Sequence, residues 1–184
     1  LFEEHPEHPG AVHYAIHSFD DPAHAPLGLE AARAYSEIAP RAAHAQHMTS
    51  HIFVALGMWD DVVEANEAAA RTTARDAGHG LELHPCGHYA EWLVYGYLQQ
   101  GRPSDARSVI QACHGLPVGE GGSSGSVARM RALHLVDTEA WDGPVAAIEL
   151  DPSALPDRWR LAARFGDGLA ELRRGELDAA REAA

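Results

Sequence analysis

Four histidines stand in two matched pairs. His13 and His17 are four residues apart, His47 and His51 are four apart, and the second pair repeats the first after 34 residues. Residues four apart share one helix face, with about 5–6 Å between Cβ atoms. An offset of 34 is the length of one helix–turn–helix repeat. The spacing therefore predicts imidazoles at the same two positions of neighbouring helices. Imidazole at this density is the usual ligand set for zinc, copper or nickel. Two such pairs on adjacent helices can converge on one ion, as in bundle sites whose ligands project inward from facing helices.

Two other readings use the same four residues. They can form a hydrogen-bond ladder between packed helices, or touch a peptide or small anion directly. Catalysis has weaker support. The chain has no HExxH, GxSxG, P-loop or Rossmann glycine pattern. Cys86 beside His84 or His88 is a conceivable dyad, but sequence neighbours rarely make a working one. The two cysteines, Cys86 and Cys113, are too few for a disulfide scaffold and read by default as inert buried thiols. Cys86 and Met48 could instead add soft ligands, which would favour copper.

The elements that must position these groups are helical. Helical patterns cover 28–39, 43–59, 60–77, 88–101, 102–113, 126–141 and 157–175, and no segment alternates over a strand's length. Pro9, Pro40, Pro85 and Pro103 stand at first-turn positions, and Gly57, Gly101 and Gly175 stand where helices should end. Three segments, LGMWDDVVEANEAA, QGRPSDARSVIQAC and RGELDAAREAA, share a glycine, a short turn and a helix with small residues on one face. Two loops interrupt the pattern, GHGLELHPCG before the third hairpin and the Gly- and Ser-rich GLPVGEGGSSG.

Bulk properties narrow the partners. The formal charge is −13, all 14 positive residues are Arg, and Lys is absent. Such a balance argues against nucleic acid and favours a cation or a basic segment. No run of about 18 apolar residues exists to span a membrane. The chain begins without Met and ends inside a helical pattern, so it reads as a piece of a longer one, and localisation is not legible.

The repeat period and turn spacing resemble the tetratricopeptide repeat. More specifically, HPGAVHYAIHSFDDP and HAQHMTSHIFVALGMW resemble a bacterial family of tetratricopeptide-containing proteins with HPGxxHYxIHxxDDP and HAxHMPSHIFxxLGxW motifs. Thr49 stands where that family has Pro. The resemblance covers roughly residues 5 to 113 and implies no reaction. It implies an all-α, right-handed stack of antiparallel helical hairpins, at about 9–39, 41–77, 86–114, 126–150 and 157–184, forming one domain over 1–184. It also implies that His44, His88, Glu91, Tyr95 and Asp20 face the same groove as the two pairs. The expected function is a binding scaffold with a histidine-rich transition-metal site. His13, His17, His47 and His51 are the first candidate ligands, His44 and His88 the next, and Asp20 and Glu91 orient them. Zinc is preferred over copper. The alternatives are a metal-free module for protein or peptide binding, taking a basic segment in its groove, and a metal-dependent hydrolase or oxidoreductase.

Overall fold

The computed structural model describes residues 1–76, 78, 83–117 and 123–183. The loop expected over 78–87 and the one over 115–125 therefore fall partly outside the described residues. Among those described the chain is helical with no strand. The helices are α1 (Pro9–Ser18), α2 (Ala25–Ile38), α3 (Ala43–Ala55), α4 (Trp59–Asp76), α5 (His88–Gln99), α6 (Pro103–Gly115), α7 (Ser124–Thr138), α8 (Asp157–Arg174) and α9 (Leu177–Ala183), with a short 3-10 helix at Pro152–Ala154. None of them is long and apolar enough to cross a membrane.

Local chemistry accounts for the helix ends. His8 caps α1: its Nδ1 accepts from the backbone N–H groups of Gly10 and Ala11, and Pro9 supplies the preset first position. Three helix exits share one geometry. Gly57, Gly101 and Gly175 have φ of 69°, 68° and 85°, a region that costs other residues steric strain. Just beyond each glycine a backbone N–H reaches back five residues: Met58 to the Phe53 carbonyl, Arg102 to Tyr97 and Glu176 to Glu171. This is the bond that closes a Schellman turn. The same turn thus reverses the chain at α3–α4, α5–α6 and α8–α9.

The chain divides into two compact units, Leu1–His84 and Pro85–Ala184. In the first, α1 packs on α2 and α3, and α3 packs on α2 and α4. Its core is formed by Val12, Ile16, Ala31, Ala32, Tyr35, Met48, Ile52, Phe53 and Val62. Met48, expected as a soft ligand, is 1 % exposed and packs in this core.

In the second unit α5 packs on α6 and α7, and α8 packs on α7 and α9. The expected fourth hairpin, 126–150, is a single helix, α7. The residues after Thr138 are not helical until the 3-10 helix. Pro144 cannot donate a helical hydrogen bond. The buried Arg131 guanidinium holds this segment instead, donating to the carbonyls of Val145 and Ala146 and pairing with Asp167.

The two cysteines are joined. Cys86 and Cys113 form a disulfide between the residues just ahead of α5 and the end of α6. This corrects the reading of both as free thiols and removes Cys86 from the soft ligands, since a disulfide sulfur is not a thiolate. Spacing in sequence gave no sign of the bond, because 27 residues and a whole helix separate the partners.

A five-imidazole candidate site

Because α1 and α3 lie side by side, their histidines meet. Ring centroids are 4.7 Å apart for His13 and His17, 6.0 Å for His17 and His51, and 5.1 Å for His51 and His47. They are 6.2 Å apart for His47 and His44 and 5.3 Å for His44 and His13. The five rings close a circuit. Both expected pairs belong to it, and His44 completes it. Burial is graded around the circuit: His47 is fully buried, His13 and His51 are intermediate, and His17 and His44 are exposed.

The two inner rings are held from behind. His47 Nδ1 lies 2.8 Å from Asn66 Oδ1. The Asn66 amide donates through Nδ2 to the Val62 carbonyl at 2.8 Å, so its Oδ1 faces the ring and must accept. His47 therefore carries its proton on Nδ1. His51 Nδ1 lies 2.7 Å from Asp20 Oδ2, in the orienting role expected for Asp20. With both Nδ1 atoms donating, the two Nε2 atoms face each other at 3.3 Å. Two bare lone pairs at that distance repel. A shared proton or a bound cation between them would relieve that repulsion. Two nitrogens on one tetrahedral zinc, at Zn–N of about 2.0–2.1 Å, lie about 3.3 Å apart. The inner pair thus has the bite of a zinc chelate. Among the described residues, no group of three or more His, Cys, Asp or Glu side chains is already arranged to hold an ion.

Burial lowers the pKa of His13 below 6.5, and the neighbouring His17, His44 and His51 add to the effect. His44 is lowered by burial first and then by His51 and His17. Both shifts favour the neutral imidazole, the form that ligates metals. Because their folded values are depressed, these groups add stability above about pH 6.5, and that stability is lost as pH falls through the folded values. Urea midpoints of the first unit should therefore fall between pH 7.5 and pH 5, and a double His13→Ala, His44→Ala variant should flatten the fall. An equal fall in the variant would assign it to other groups.

Charge converges on the same unit. Residues 1–84 hold 13 Asp and Glu against four Arg, a formal −9, whereas residues 85–184 hold 14 against ten, a formal −4. The first unit therefore carries the larger share of the chain's formal negative charge.

Asn66 and Tyr35 were not singled out in sequence. The Tyr35 hydroxyl lies 3.4 Å from His13 Nδ1. Asn66 is 0 % exposed in the middle of α4, where asparagine is a poor helix former. That misfit was the one available signal. Asn66→Leu strands the His47 Nδ1–H in the core and should cost about 1–3 kcal/mol in urea unfolding. Unchanged stability would show that His47 does not depend on it.

The remaining candidates lie in the second unit. His88 has its ring centroid 6.0 Å from those of both Tyr89 and Trp92, and the five-ring circuit closes without it. Glu91, expected to orient imidazoles, is buried and engaged elsewhere: Ser126 Oγ donates to its Oε1 at 2.9 Å, and Arg129 Nε lies 3.3 Å from its Oε2. Tyr95 lines a cavity beside it. No family model, curated protein or solved structure matches the chain.

Proposed function

We propose that the first unit is a binding scaffold of the tetratricopeptide type whose histidine circuit takes a divalent transition metal, zinc before copper. The repeated turns at Gly57, Gly101 and Gly175 support the repeat reading. So does the packing of α1 beside α3, the first helices of two successive hairpins, and of α5 beside α7. The metal reading rests on one observation above all: the opposed Nε2 atoms of His47 and His51, each ring oriented by a partner on its Nδ1. Zinc is preferred because the soft donors are spent, Cys86 in a disulfide and Met48 in the core. His47 and His51 would hold the ion, and His13, His17 and His44 would supply the remaining nitrogens by ring rotation. The bound ion supplies a Lewis-acidic charge; the residues supply orientation and exclude water from the His47 side.

A metal-free interaction module is the second reading, and it draws on the absence of three converged donors among the described residues. In that case a proton shared between His47 and His51 serves the packing of α3. Elemental analysis separates the two. Protein loaded with zinc, copper or nickel and then desalted should retain at least one ion per chain, and a chelator should remove it. Background metal content after all three loadings would leave the interaction module.

A further inference from the structure

The second unit carries a pocket whose chemistry differs from the metal site and does not depend on it. Glu91, Trp92 and Tyr95 on α5 and Arg129 and Leu133 on α7 line a cavity of about 220 Å³. The sequence reading gave Glu91 the task of orienting imidazoles. In the structure its charge is already met. Ser126 Oγ donates to one oxygen while accepting from the Gly87 N–H, and Arg129 approaches the other. Burial raises the Glu91 pKa above the ordinary carboxylate value, and Ser126, Arg129 and Arg158 oppose that rise without cancelling it.

Arg129 is half exposed, its side chain retaining 51 % of its accessible surface. A guanidinium carries five N–H donors in a planar fork. Among the described residues Glu91 is the one carboxylate that meets Arg129, and it does so through Nε. The terminal nitrogens thus retain donor capacity beside two aromatic side chains and a leucine. The lining joins an Arg129–Glu91 pair to two aromatic side chains and a leucine, and the fork nitrogens that Glu91 does not meet select an apolar body bearing an anion. Its volume is below that of a usual drug-sized site, which limits the body to about one aromatic ring.

We infer that this cavity binds a small free apolar monocarboxylate of the size of phenylacetate, its carboxylate on the Arg129 fork and its ring against Trp92, Tyr95 and Leu133. The test uses the whole chain and isothermal titration, with chemical shifts of the tryptophan indoles as a second readout. Phenylacetate should saturate one site, while phenethylamine and phenylacetamide, equal in shape but cationic or neutral, should bind about ten-fold more weakly or worse. Arg129→Gln should weaken phenylacetate by a similar factor. Leu133→Trp should block it by filling the cavity, with circular dichroism confirming that each variant is folded. No saturation by about 10 mM phenylacetate, or equal binding of phenethylamine, overturns the inference. Tighter binding of a short peptide ending in Phe also overturns it, by making a chain terminus the occupant. None of these outcomes bears on zinc retention.

Discussion

Zinc at about one hundred times its dissociation constant is expected to stabilise the first unit by about 2.7 kcal/mol, because an ion that binds only the folded state shifts unfolding by mass action. For a unit of this size that corresponds to a rise of roughly 10 °C or more in melting temperature. The effect should concentrate in the transition of residues 1–84, since all five rings of the circuit lie there. His51→Ala is the decisive variant. His51 retains 17 % of its side-chain exposure and carries one of the two opposed Nε2 atoms. Its removal should abolish the zinc shift while lowering the metal-free stability little. Asp20→Asn should keep the fold and weaken the shift, because second-partner changes of this kind cost about ten- to a hundred-fold in metal affinity. Differential scanning calorimetry with and without zinc reads all three proteins. A wild-type transition that ignores saturating zinc, copper and nickel removes the metal reading; a shift that survives His51→Ala moves the site to other residues.

The second large effect belongs to the Cys86–Cys113 bond. Closing a loop of 27 residues restricts the unfolded chain by about 3.5 kcal/mol in the chain-entropy model. Cys113 is 1 % exposed and Cys86 7 %, so the bond is shielded from reductant in the folded unit. The double Cys86→Ser, Cys113→Ser variant should lower the melting temperature of the second unit on the order of 10 °C, leaving the first unit's transition in place. Reduction after denaturation, followed by refolding with the thiols alkylated, should give a comparable loss. Free-thiol titration of the unfolded, unreduced protein should find no reactive sulfur. Two titratable thiols there would show that the pairing does not form, and an unchanged melting temperature in the serine variant would show that the loop is restrained by other means.

The two expectations had different standing in the sequence. The four paired histidines were legible because a helix repeats its faces every 3.6 residues and a duplicated hairpin repeats its positions. The 34-residue offset alone brought His13, His17, His47 and His51 onto adjacent helices, and Asp20 was expected behind a ring where the structure places it. The exits at Gly57, Gly101 and Gly175 were legible for a similar reason, since a left-handed turn residue is a local demand. Asn66 was not legible. Its role depends on α4 crossing α3 at His47, a contact 19 residues away in sequence. The reading of Glu91 as an orienting partner for imidazoles also missed its partners: Ser126 and Arg129 lie on α7, 35 and 38 residues further on, and they engage the carboxylate there. After Thr138 the helical pattern ran on past the end of α7, because the pull of Arg131 on the Val145 and Ala146 carbonyls has no signature in the local sequence.

The sequence by itself determined the helices, their turns and the repetition of imidazoles, since each follows from residues within one or two turns of chain. Tertiary structure alone decided the protonated nitrogen of His47, the orientation of His51, the joining of the cysteines and the spending of the Glu91 charge. Those outcomes depend on hydrogen bonds, ion pairs and a covalent bond between groups far apart in the chain, whose geometry exists only once the helices have packed.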